Sequence, residues 1–112
     1  MWPFNTPTMV ARQICTNGAK YAEWLGETSR RGESIGEHRR ELMSRAAADG
    51  QDRGPRYAEW SRIYWREMNR VLEFALRNPD ATSKGLTEIV ERDCDRRRDS
   101  LKRELEQSDP RR

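Results

Sequence analysis

Residues 55–79 read PRYAEWSRIYWREMNRVLEFALRNP. Tyr57, Trp60, Tyr64, Met68, Val71 and Ala75 recur at spacings of three and four, which gathers them on one face of an α-helix. Ile63, Leu72 and Leu76 widen that face, as a helix packed from several sides requires, while Trp65 and Phe74 fall toward its margins. Pro55 suits the first turn, where its missing N–H is no loss, and Asn78-Pro79 stops the pattern. The spacing predicts a central helix over about 55–77, and the remaining elements are read around it.

Toward the C-terminus, Asp80 to Ser83 offers caps for a long helix over about 82–107. Its Leu86, Val90, Cys94, Arg97, Leu101 and Leu105 form a narrow seam resembling a coiled-coil stripe. Between Asp93 and Ser100 the seam is nearly all charge. Its C-terminal half therefore reads either as a solvated extension or as one strand of a partner coil, with homo-oligomerisation through this helix as the corollary. Residues 1–107 read as a single helical domain, and Ser108 to Arg112 as a disordered tail.

Toward the N-terminus, Gln51 to Gly54 is a short loop. Ser34 and Glu37 stand at capping-box spacing before a second helix from about Ile35 to Ala48, striped by Ile35, Leu42, Met43 and Ala46 and closed by Asp49-Gly50. Gly26 to Gly32 reads as a connection. Thr6-Pro7 opens a first helix carrying Val10, Ile14, Tyr21 and Leu25.

The start of the central helix has a counterpart upstream. Gly18-Ala19-Lys20-Tyr21-Ala22-Glu23-Trp24 repeats as Gly54-Pro55-Arg56-Tyr57-Ala58-Glu59-Trp60, with the copies beginning 36 residues apart. Tyr and Trp three positions apart share a helix face, and the Ala between them admits a close neighbour. Because the second copy opens a helix, the first predicts a helix start near Ala19 and a break at Gly18. The fold is thus all-α, a small bundle of four helices, or five if Gly18 breaks the first. The tetratricopeptide pattern is excluded, because its further positions are missing and two copies make no solenoid. Trp24-Leu25-Gly26 matches the Trp-x-Gly of small secreted helical hairpins, but it comes too early and no Tyr-x-x-x-Asp/Glu signal follows.

Composition limits what such a bundle can be. Of the 112 residues, 34% are hydrophobic and 37% charged, and Leu, Ile, Val and Phe together number only 16. That is sparse enough to raise disorder, but the net charge of +3 is small, and four Trp and three Tyr bury much area each. A thin, aromatic-rich core is expected. Arg outnumbers Lys by 19 to 3, which suits a GC-rich genome and also suits planar, stacked contacts. Cys15 and Cys94 have no CxxC context and read as two reduced thiols of a cytoplasmic protein, with a single bridge as the alternative that a secreted setting would allow. Met1 to Pro7 lacks the basic-then-apolar pattern of a secretion leader, and no apolar run approaches membrane-spanning length.

The strongest candidate surface lies on the central helix. Arg62, Arg66 and Arg70 recur every fourth residue beside Trp65, with Arg77 further along. This basic ridge is read as the partner-binding surface, for an acidic protein face or for phosphates. Its structural counter-reading is a solvated face on which Glu59, Glu67 and Glu73 pair with it along the helix. Residues 80–112 carry nine basic and nine acidic side chains, so the tail helix has no net field. Ala81 to Thr87 loosely follows the Ala-x-x-x-Gly turn of a helix-turn-helix, but Asn78-Pro79-Asp80 breaks the preceding helix.

Catalytic chemistry finds little support. His38 is the sole histidine, with Glu41 one turn away, and one His without clustered Cys makes no ordinary zinc or di-iron site. His38 with Glu41, or Cys15 with His38, are the only combinations left for acid–base or nucleophilic work. The expected function is a non-catalytic protein-binding module without cofactor or metal, of the kind that phages and mobile elements encode as inhibitors or adaptors. The competing class is a nucleic-acid binder using the ridge or a divergent helix-turn-helix.

Overall fold

The computed structural model describes residues 5–111. The reading of Met1 to Phe4, and Arg112 of the expected tail, lie outside them. The described residues form four α-helices and no strand: α1 (Pro7–Arg30), α2 (His38–Arg53), α3 (Ala58–Arg77) and α4 (Ser83–Gln107), with a 3₁₀ turn (Pro55–Tyr57) leading into α3. The expected all-α bundle is what the chain forms.

Helix α1 is capped as its sequence implies, with Thr6 Oγ1 accepting from Met9 N–H at 3.2 Å and Pro7 in the first turn. It does not break at Gly18. That residue is buried, and a side chain there would meet Val71 and Val90, so the glycine thins α1 where α3 and α4 cross it. The repeat is therefore not structurally equivalent. Its first copy lies inside a continuous helix, and its second spans the 3₁₀ start of α3. The two tryptophans diverge accordingly: Trp60 is fully buried, while Trp24 is 43% exposed.

Helices α1 and α4 run antiparallel. Cys15 meets Cys94, Gly18 faces Val90, and Gly26 lies against Ser83. At Gly26 the approach is so close that a Cβ would sit 2.6 Å from Ser83 Cα. Ser83 Oγ donates to the Glu23 carbonyl at 2.9 Å, fixing the register there. The expected reduced thiols are corrected: Cys15 and Cys94 form a disulfide. Their distance in sequence concealed it, because only the antiparallel pairing of the two longest helices brings them together.

Helix α2 starts and ends three to five residues later than expected. Ile35 is buried, and it holds the chain in a turn in which His38 N–H reaches the Ile35 carbonyl, so the capping box at Ser34 and Glu37 does not form. At the other end Asp49 pairs with Arg53 one turn on, and the helix runs through Gly50 to Gly54. Gly54 stops it with φ near +79°, a conformation that only glycine adopts without strain. Only Leu42 of α2 is buried, and α2 lies antiparallel on α3.

Helix α3 packs against each of the other three, which makes it the central element. Trp60, Ile63, Met68, Val71, Leu72 and Ala75 lie in the core as the spacing implied, and Trp65 and Phe74 sit at its edge. Trp60 Nε1–H donates to the Leu105 carbonyl at 2.9 Å, anchoring the end of α4. Leu101 and Leu105 are buried within the molecule, so the seam of α4 is covered by α1 and α3 along its whole length. Of the expected tail, Ser108 to Arg111 turn back, with the Arg111 guanidinium 5.2 Å above the Trp60 ring.

Candidate functional site: an aromatic cleft

The arginine ridge on α3 is built into the fold. Arg66 donates twice to the Glu104 carboxylate, at 2.6 and 2.8 Å, and also to Glu67. Arg70 forms a fork with Asp93 at 2.8 and 2.9 Å. Arg97 of α4 crosses back to Glu67 at 2.7 and 2.9 Å. The side chains of Glu67 and Asp93 are only 5% and 7% exposed, so these are partly desolvated forks rather than surface pairs. The hydrogen bonds from Arg70 hold the Asp93 carboxyl below its usual range against the opposing effect of burial. Those from Arg66 do the same for Glu104. The alternation of charge along α3 and α4 is thus a lock between two antiparallel helices.

The ridge continues at both ends of this lock. Arg62 pairs with Glu59 at 3.2 Å and reaches Glu104, the acceptor of Arg66, at 3.9 Å, and Arg70 lies over the Phe74 ring at 5.3 Å. Arg77 donates to the Glu73 carbonyl and lies 5.1 Å over the Phe74 ring. Trp65 faces the opposite side from the α4 lock. Its Nε1–H donates to Asp49 at 2.9 Å, and Ser61 donates to the same oxygen. Burial opposes ionisation of Asp49, but its bonds from Trp65, Ser61 and Arg53 outweigh that and hold its carboxyl low. The structure therefore does not bring Arg62, Arg66, Arg70, Arg77 and Trp65 together on one free surface.

An aromatic-lined concavity lies elsewhere, between α1 and α2 with α3 as its floor. It has a volume of about 370 Å³, within the range of small-ligand and anchor-residue pockets. Helix α1 contributes Asn17, Tyr21 and Trp24; α2 contributes His38, Glu41, Leu42 and Arg45; α3 contributes Tyr64, Trp65 and Met68. Helical spacing explains the α1 wall, because positions 17, 21 and 24 fall on one face. The Tyr21 and Trp24 rings are nearly parallel, 6.1 Å apart, and the His38 ring meets Trp24 edge-on at 4.7 Å. Tyr64 and Trp65 form a second edge-on pair at 5.0 Å. Asn17 Nδ2–H donates to the Tyr64 hydroxyl at 2.9 Å and ties wall to floor.

Glu41 is the acidic group of the cleft. His38 Nδ1 lies 3.2 Å from one of its oxygens, and Arg45 donates to the other at 2.8 Å. The His38 contact, with Arg45 second, holds the Glu41 carboxyl low. Burial raises the Tyr21 hydroxyl above its ordinary value, with the Glu41 charge adding to it. The Tyr64 hydroxyl is also raised by burial. Of the two combinations left open for acid–base or nucleophilic chemistry, His38 and Glu41 meet, whereas Cys15 is committed to Cys94.

Sequence reasoning found Trp65 but not the cleft. The signal was present in Tyr21 and Trp24 of the repeat, but the same repeat in α3 points into the core. No group of His, Cys, Asp and Glu suited to hold a metal occurs among the described residues, and no helix there is long and apolar enough to cross a membrane. Comparison with protein-family models, curated proteins and solved structures finds no match for the chain.

Proposed function

We propose that the chain is a non-catalytic protein-binding module that holds its partner in the aromatic cleft between α1, α2 and α3. The exposure of Trp24 carries this reading. A tryptophan 43% exposed, set beside Tyr21 at the rim of a concavity floored by Tyr64 and Trp65, is the type of residue that dominates binding energy at interfaces. The floor is tied by the Asn17–Tyr64 and Trp65–Asp49 hydrogen bonds, so little ordering is required on binding. An inhibitor or adaptor role, in a phage or mobile-element setting, belongs to the same proposal.

The disulfide alters the proposed compartment. A bond between Cys15 and Cys94 persists where thiols are not kept reduced, which favours an oxidising setting over the cytoplasmic one expected from spacing alone. The nucleic-acid alternative loses its main support, because Arg66 and Arg70 are held by Glu104 and Asp93 and offer phosphates a neutralised surface.

The deciding experiment is capture from the native source with three baits: the wild-type chain, Tyr21→Ala/Trp24→Ala, and Arg62→Glu. Loss of a captured protein in the cleft variant alone supports the reading. Equal capture by all three, or capture of nothing but the chain itself, sinks it.

A further inference from the structure

We propose that the cleft is a seat for an arginine side chain of the partner, an inference that rests on the protein-binding reading above. Tyr21 and Trp24 on α1 and Tyr64 and Trp65 on α3 line it from two sides. The faces of such rings carry negative charge density that attracts a cation, and a planar guanidinium both stacks on them and donates in their plane. The cleft also offers hydrogen-bond acceptors to a guanidinium. Glu41 brings a carboxylate, and Asn17, whose Nδ2–H is given to Tyr64, keeps its carbonyl oxygen as an acceptor.

The molecule already shows what this carboxylate takes. Glu41 holds the guanidinium of Arg45 at 2.8 Å, one turn along the same helix. The Arg45 side chain is 68% exposed, so the pair is weak and open to exchange. An incoming arginine replaces Arg45 at Glu41 and gains the rings as well. His38 lies on the other oxygen of the same carboxylate, and the Tyr21 and Tyr64 hydroxyls, both raised by burial, complete the titratable lining. The overall charge of +3 acts over distances that physiological salt screens, whereas the seat acts at contact.

The test is nuclear magnetic resonance of the indole N–H signals of the intact, oxidised chain, titrated with capped Gly-Arg-Gly and, separately, with capped Gly-citrulline-Gly. Citrulline keeps the shape of arginine and removes its charge. The arginine peptide is expected to shift the Trp24 and Trp65 signals with millimolar affinity and to leave buried Trp60 unmoved, which also reports an intact fold. Trp24→Ala should weaken binding roughly threefold to thirtyfold. Arg45→Ala, by freeing Glu41, should strengthen it about threefold. Equal shifts with citrulline, absence of shifts at Trp24, or weaker binding in Arg45→Ala would each overturn the seat. If the peptides fail while partner capture still depends on Trp24, the arginine proposal falls and the protein-binding reading stands. If the arginine peptide binds while capture returns no partner, the cleft takes a guanidinium but the protein-binding reading falls, and the partner's arginine falls with it.

Discussion

Cys15 and Cys94 are bonded across the α1–α4 contact, with their Cα atoms 5.6 Å apart and 79 residues between them in sequence. The bond joins the middles of the two longest helices, at the level where Asp93 turns to Arg70 on the neighbouring face. A cross-link closing so long a loop restricts the unfolded chain, and its removal should lower stability by about 2–4 kcal/mol. Urea unfolding of Cys15→Ala/Cys94→Ala, or of wild type with and without reductant, measures this. Unchanged midpoints, or two thiols that react freely with a thiol reagent in the native protein, would show that the bond is not part of the working fold.

The lock between α3 and α4 gives stability a definite pH dependence. Asp93 and Glu104 have lowered carboxyl values in the folded state, through Arg70 and Arg66 respectively. In mild acid the unfolded chain therefore takes up protons that the folded chain refuses, so stability rises with pH there. The contribution is whole above the unfolded carboxylate range and is lost as pH falls through the folded values. The melting temperature should hold between about pH 7 and 5 and drop below that, and Asp93→Asn should flatten the drop. Glu67→Gln, which removes the buried carboxylate shared by Arg66 and Arg97 and leaves them on Glu104 and Asp93, should destabilise by roughly 1–3 kcal/mol, discounted for the partial exposure of both arginines. An acid limb unchanged in Asp93→Asn would remove the lock from the account.

The two copies of the Gly-x-(Lys/Arg)-Tyr-Ala-Glu-Trp motif should respond to mutation in opposite ways. Trp60 is fully buried and hydrogen-bonded to Leu105, so Trp60→Ala should cost about 3–5 kcal/mol. Trp60→Phe, which leaves the Leu105 carbonyl without that donor, should cost about 1–3 kcal/mol. Trp24→Ala should change stability by less than about 1 kcal/mol while removing the exposed anchor of the cleft. Thermal melts of the three variants decide this, and similar losses at Trp24 and Trp60 would contradict the assignment of one to the core and the other to the surface.

What was legible in the sequence is what periodicity governs. The run from Tyr57 to Ala75 specifies a helix buried on a wide face, and Leu86 to Leu105 a helix buried on a narrow one, because helical spacing alone decides which side chains share a side. What periodicity does not carry is which helices meet. The bonding of Cys15 to Cys94 depends on the antiparallel pairing of α1 with α4, and the neutralisation of Arg66 and Arg70 depends on α4 lying along α3. Of the acids that answer the ridge, Glu104 and Asp93 come from α4, while Glu59, three residues from Arg62, and Glu67 belong to α3 itself. The cleft was illegible for the same reason, since its residues come from three helices. Gly18 misled because the repeat likened it to Gly54, which does precede a helix start, whereas Gly18 lies buried inside α1 beside Val71 and Val90.

Three glycines separate close packing, backbone conformation and simple propensity. At Gly26 an added Cβ would lie 2.6 Å from Ser83 Cα, and backbone cannot swing aside as a side chain does. Gly26→Ala should therefore force α1 from the start of α4 and cost about 1–3 kcal/mol. At Gly54 the constraint is φ near +79° with ψ near 172°, a region essentially confined to glycine, and there is open space around the Cβ position, so Gly54→Ala should cost about 1–3 kcal/mol through the backbone alone. Gly50 lies inside α2 with its nearest neighbour, Ser61 Oγ, 4.0 Å from an added Cβ. Gly50→Ala should stabilise the protein by roughly 0.5–1 kcal/mol, the helical preference of alanine over glycine. Urea midpoints should place Gly50→Ala above wild type and both Gly54→Ala and Gly26→Ala below it. A Gly26→Ala protein as stable as wild type would mean that α1 and α4 are not as close at Ser83 as the structure has them, and the register set by the Ser83–Glu23 hydrogen bond would be wrong with it.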